Sequence, residues 1–320
     1  MLNEITCIAK NTIKTVTNLH RPDGHPNIFL FSTPRSGSTW LMELIWSQPG
    51  FKACNEPLDL RNPLVRRYLG VASWLELYTQ NADPALRRYF QALCEGSLHA
   101  MDPIPFRGSY RLVTHRIVFK ILNGGEDRVN WFRDTFNGQI IYLIRHPIAV
   151  SLSREYLPRL QTQLMSDYRR HFSKEQIDFS HRILENGSRL EQGVLAWCLE
   201  NAVPLQMATK DWLIVAYEEL VCNPELVIAQ IAERLALPEP ESMLNRLAIP
   251  SAVKAKSNRE TQQALEQGTD RKWLVEKWRS QLSKGEERRA MEILEHFQIN
   301  VYRYGELLPT RQIVETNPGL

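Results

Sequence analysis

"IFLFSTPRSGSTWLMELI", residues 28–45, decides the fold. Ile28 to Ser32 is a short apolar run that stops at a turn, which reads as a buried strand. Beyond the turn, Trp40, Leu41, Leu44 and Ile45 fall at helical spacing, so the unit is strand, tight loop, helix. Such a turn aims several backbone N–H groups at one point, and the helix dipole adds partial positive charge there. Gly37 would let a ligand approach the backbone closely, Ser36, Ser38 and Thr39 add hydroxyls, and Arg35 adds a fixed cation. Together these suit an anion carrying several oxygens. "SGST" alone would also serve as an ordinary strand-to-helix turn.

Outward from this unit, further apolar runs alternate with helical patterns. "RLVTHRIVFKIL" (Arg111–Leu122) reads as one strand or two short ones, and "GQIIYLIRHP" as a strand ending in a charged turn, with a helix beginning in "AVSLSREYL". "DWLIVAYEEL" (Asp211–Leu220) reads as a strand and "NPELVIAQIAERLAL" as an amphipathic helix behind it. Pro63 to Leu98 is mostly helical in pattern. The expected class is α/β, a central parallel sheet flanked by helices. Residues 157–190 and 251–272 are polar with few apolar anchors and read as mobile loops.

The chain has 320 residues, enough for one large domain, and 39 basic against 36 acidic residues. A net charge of +3 favours a local anion pocket over a nucleic-acid surface. Five scattered cysteines without a C-x-x-C pair point to a reducing, cytoplasmic setting with no structural zinc. No signal peptide or membrane span is legible.

A kinase needs a Lys before the loop Ser/Thr and an acid ending a later strand to hold Mg²⁺. Here Ser38 follows Gly37, and "IIYLI" ends in Arg145. "STPRSGSTW" together with "YLIRHPIAVSLS" instead resembles the sulfotransferases that use 3′-phosphoadenosine 5′-phosphosulfate (PAPS) and release 3′,5′-ADP (PAP). The resemblance implies a P-loop NTPase-like fold with no metal. It spans a domain over 28–305, between an N-terminal extension, 1–27, and a tail, 306–320. It puts the loop, Arg35 to Thr39, on the phosphosulfate, and Arg145 and Ser153, eight residues apart, on the 3′-phosphate. Ser257 and Lys272 resemble lid residues, although the family's K-G-x-x-G lid is absent. Trp40 could stack on adenine, but its helical spacing with Leu41 and Leu44 favours the core. Arg154 is open between ligand and solvated helix residue. A nucleotide-dependent kinase and a non-catalytic nucleotide-binding module are the rival readings.

Sulfuryl transfer needs a base beside the acceptor and cations on the leaving phosphate. Arg35 stays protonated at neutral pH, so charge stabilisation is its expected role. For the base, "FKIL" puts Lys120 at the family's lysine and Leu122 where small-molecule enzymes carry His, while His115 falls seven residues early. Glu56, 21 residues past Arg35 in "CNEPLDL", matches the Arg/Glu arrangement of carbohydrate and tyrosylprotein sulfotransferases, and burial in the acceptor pocket is expected for it. Glu56 is the preferred base, with His115 second. The expected acceptor is a small molecule (a natural-product hydroxyl, a nitrogen, a carrier-bound hydroxyl or a sugar), and monomer or homodimer is left open.

Overall fold

In this computed structural model the described residues are 13, 17–99, 110–154, 160–247, 249 and 271–310. β1 (Leu19–His20) precedes β2 (Ile28–Ser32), and the loop leads into the helix Ser38–Trp46. β3 (Phe51–Asn55), β4 (Val113–Thr114), β5 (Arg116–Ile121), β6 (Gln139–Ile144) and β7 (Trp212–Ala216) follow. Five strands form one sheet in the order β3-β5-β2-β6-β7, every pairing parallel. "RLVTHRIVFKIL" is thus two strands, and the first of them, β4, pairs with β1 from the N-terminal stretch.

The central strands are buried on both faces, as continuous apolar runs require in a parallel sheet. Alternate residues feed separate cores. Phe29, Phe31, Phe119 and Tyr142 face one, with Phe90 and Phe132 from neighbouring helices. Ile28, Leu30, Val118 and Ile141 face the other, with Leu41 and Ile45 from the loop helix and Ile228 and Ile231 from the helix Pro224–Arg234. Phe29 stacks on Phe119 at 4.9 Å between centroids, which fixes the middle of the sheet.

Three expectations are corrected. The strand expected over Asp211–Leu220 ends at Ala216, and Tyr217–Cys222 is helical. Glu218 and Glu219 in its first turn complement the helix dipole. Much of 157–190 is ordered helix rather than loop: Lys174–Asn186 starts at Ser173 with a full capping box, and Leu160, Leu164, Tyr168 and Phe172 are buried. The helix expected in "AVSLSREYL" starts earlier, at Pro147, and ends at Leu152. Two elements had no legible signal. β3 is a short edge strand, and the helix Arg189–Met207 is buried from Gly193 through Pro204, so no polar face marks its period.

β2 connects leftward to β3 and β6 rightward to β7, so the chain's direction switches between adjacent strands β2 and β6. Crevices at the carboxyl ends of such strands are where open parallel sheets bind ligands.

Candidate functional site

The loop after β2 lies at that switch point. Gly37 caps the helix Ser38–Trp46 with φ 89° and no side-chain hydrogen bond, so the first helical N–H groups stay directed at the loop. A Cβ at Gly37 would come within 2.5 Å of the Tyr217 ring. The glycine is therefore required by an aromatic neighbour, where the sequence had suggested room for a ligand. Ser36 is fully buried with its Oγ 2.7 Å from Thr33 Oγ1, and Ser38 is buried. Arg35 itself is exposed and takes φ 73°. Glu56 takes φ 56°, so both expected catalytic residues occupy backbone that non-glycine residues rarely adopt.

Arg35, Arg145 and Ser153 come together. Arg145 Nη1 donates to the Arg35 carbonyl at 2.9 Å, and Arg35 Nε donates to the Ser153 carbonyl at 3.1 Å. The Arg145 guanidinium lies 4.2 Å from the Tyr217 ring centroid, and its Nε is buried with no hydrogen-bond partner. Arg154 is buried: it donates to the Pro34 carbonyl and pairs with Glu200 at 2.6 Å, so it braces the loop from behind.

Glu56 and Lys120 make the second corner. Lys120, near the carboxyl end of β5 and 3% exposed in its side chain, donates to Thr39 Oγ1 at 2.8 Å and to Glu56 Oε1 at 3.0 Å. The Glu56 side chain is 23% exposed, with Arg61 at 3.7 Å, so it sits between two cations and is less buried than expected for it. Its turn is set by Glu56 N–H donating to the Lys120 carbonyl and Asp59 N–H to the Glu56 carbonyl.

His115 is not brought to either corner. It precedes β5, five residues and roughly 16 Å of strand from Lys120. There its Nδ1 lies 2.8 Å from the Arg21 carbonyl, at the amino end of the sheet. Lys272 lies in the short helix Arg271–Glu276, exposed and paired with Glu276 at 3.4 Å. Ser257 falls outside the described residues. Trp40 packs into both cores and meets Tyr217 edge-on at 6.2 Å. Among the described residues no cluster of three or more His, Cys, Asp and Glu side chains is arranged to hold a metal ion. No helix among them is long and apolar enough to cross a membrane.

The stretch "VAYEELVCNPELVIAQIAERL" is similar to the family's Y-E-[DE]-L packing and orientation feature, which marks Tyr217 and Glu218 without tying them to the site, and nothing in the sequence marks Trp197. Tyr217 contacts Gly37, Arg145 and Trp40. Glu218 accepts the His146 N–H at 2.8 Å and the Tyr302 hydroxyl at 2.9 Å. Burial raises its carboxyl, opposed by those bonds and by the Arg145 charge. Trp197 donates to the Arg145 carbonyl at 3.0 Å. The available signal was "YEEL" directly after an apolar strand, an unusual place for two acids.

A sulfotransferase-domain family model matches residues 25–301. Comparison with curated protein sequences finds no match. Among solved structures, the sulfotransferase domain from the curacin biosynthetic pathway is similar at 17% identity, over 88% of this chain and 99% of that one, with a TM-score of 0.47. The sulfotransferase domain of the Synechococcus PCC 7002 olefin synthase is 18% identical, over 89% and 100%, at 0.42. Mouse sulfotransferase SULT7A1, complexed with PAP, is 16% identical, over 88% and 87%, also at 0.42. With the match covering most of its length, the chain belongs to the sulfotransferase family.

Proposed function

We propose that this sulfotransferase moves the sulfuryl group of PAPS to a hydroxyl or nitrogen of a small-molecule acceptor, a natural product or a sugar, in the cytoplasm. The observation that carries the reading is the Lys120 bridge, which ties the candidate base Glu56 to Thr39 of the anion loop. The residues present suit such a donor. An uncapped helix N-terminus, two arginines and a buried guanidinium N–H without a partner all favour a ligand with several anionic oxygens.

When bound, the donor supplies the sulfuryl group and the phosphate that leaves. The loop amides with Ser36, Ser38 and Thr39 hold its 5′ end, and Arg35 spreads positive charge over the leaving oxygen. Arg145 and Ser153 hold the 3′-phosphate. Glu56 Oε accepts the acceptor's proton, while Lys120 keeps that carboxylate facing the loop. His115, at the far end of β5, takes no part. Cys94 and Cys198 are free thiols, which supports the cytoplasmic setting.

Thermal-shift measurements with 3′,5′-ADP, ADP and ATP–Mg²⁺ test the donor class, followed by labelled PAPS with an acceptor panel. Stabilisation by 3′,5′-ADP and label transfer are expected. Stabilisation by ATP–Mg²⁺ but not by 3′,5′-ADP would overturn the reading, and 3′,5′-ADP binding without turnover of any acceptor would favour a binding module.

A further inference from the structure

The peptide joining Arg145 to His146 is held at both ends. Its carbonyl accepts the Trp197 indole N–H at 3.0 Å, and its N–H donates to Glu218 Oε1 at 2.8 Å. The other oxygen of Glu218 accepts the Tyr302 hydroxyl at 2.9 Å, and Glu218 is 1% exposed. Tyr302 is fixed in turn, its ring 5.0 Å from that of His146, which stacks on Trp278 at 4.5 Å. A carboxylate this deeply buried is costly unless its oxygens are bonded. Here one oxygen of Glu218 and the indole of Trp197 hold the two ends of one peptide plane, and that plane sets the direction in which the Arg145 side chain leaves the backbone. The side chain continues over Tyr217 and leaves a buried Nε–H without a protein acceptor. A cationic donor held this way is pre-organised for an anion.

We propose that Glu218 is a positioning residue that aims Arg145 at the 3′-phosphate of the donor nucleotide, by clamping the Arg145–His146 peptide against Tyr302. The inference rests on the reading above that Arg145 holds that phosphate. A carboxylate serving only fold stability would affect all nucleotide ligands alike. A positioning residue must affect those that carry the 3′-phosphate.

The test is calorimetric binding of 3′,5′-ADP and of 5′-AMP, which lacks the 3′-phosphate, to the full chain and its variants. Arg145→Ala should weaken 3′,5′-ADP and spare 5′-AMP. Glu218→Ala should follow it, losing about tenfold for 3′,5′-ADP alone, the equivalent of one charge-assisted bond. Glu218→Gln keeps an oxygen for the His146 N–H and should recover most of that loss. If Glu218→Ala does not fold, Tyr302→Phe carries the test, since it removes one hydroxyl and keeps the ring, and a smaller but equally selective loss is expected. Equal weakening of both ligands, or no weakening while Arg145→Ala discriminates, overturns the positioning role alone. Failure of Arg145→Ala to discriminate overturns the Arg145 assignment beneath it.

Discussion

The two corners of the site are built differently. Around Arg145 the bracing side chains are buried and bonded: Glu218 to a backbone N–H and Tyr302, Trp197 to a carbonyl, Arg154 to Glu200 and the loop. Around Glu56 only Lys120 is buried: the Glu56 side chain is 23% exposed, and Arg61 is 80% exposed with Asp59 as its nearer partner. Under the proposed function, the corner that would grip the same nucleotide in every turnover is the one made rigid by buried bonds, and the corner that would receive an acceptor and remove its proton is the one left open. The first should therefore fail by losing stability when disturbed, the second by losing turnover with the fold intact.

The largest effect is expected at the open corner. Glu56→Gln should lower turnover about 10²- to 10⁴-fold, the span of a lost general base, while the melting temperature stays close to wild type. His115→Ala should leave turnover unchanged. Release of 3′,5′-ADP in the presence of a competent acceptor measures both, and a loss confined to the histidine variant would reassign the base. At the closed corner, Glu200→Ala leaves Arg154 buried without its carboxylate, 5% exposed against the 7% of its lost partner. Urea unfolding should show a loss of about 3–5 kcal/mol. A cost near zero would mean that the loop does not depend on the buried brace, and the contrast between the corners would collapse. Gly37→Ala should follow at about 1–3 kcal/mol, because the new methyl enters the Tyr217 ring from a backbone with φ 89°. Tyr217→Ala in the same chain should recover part of that loss by removing the obstacle.

The same contrast explains what could be read from the sequence. That the loop, Arg145 and Ser153 come together was legible because all three follow apolar strands, with small residues, a helix start and cations at short, fixed spacing. The parallel sheet was legible because its strands are apolar on both faces. Glu56 could be placed by its separation from Arg35 and by "EPL", and Lys120 by its match to the family's lysine, but nothing in the sequence pairs the two. His115 precedes β5 and Lys120 lies near its carboxyl end, a separation that their closeness in sequence does not show. Tyr217, Glu218, Trp197 and Glu200 were illegible as site residues. They act by packing and bonding against a turn dozens of residues away, and no local pattern encodes that partnership. The helix Arg189–Met207, which supplies Trp197 and Glu200, was hidden for a related reason: a helix buried all round loses the polar stripe that betrays its period.

The smallest effect tests the closed corner by pH. His146 is fully buried and lies against Trp278 and Tyr302. Burial first, then the charges of Arg279 and Arg145, against a weaker opposing pull from the Glu306 backbone, hold it down to about 3 from an ordinary 6.5. Between those values the unfolded chain binds a proton that the folded chain refuses. Stability from this group is therefore complete above pH 6.5 and is lost as pH falls, at no more than about 1.4 kcal/mol per pH unit. Glu218 works in the opposite sense, because its raised carboxyl favours the folded chain as acid is added. Only a substitution at position 146 separates the two. His146→Phe keeps the ring against Trp278 and Tyr302 and removes the titration. Its urea midpoint should be nearest to wild type at pH 7 and should rise progressively above it toward pH 5. Parallel curves for the two proteins would show that the corner admits a proton, and that its rigidity is less than its buried bonds imply.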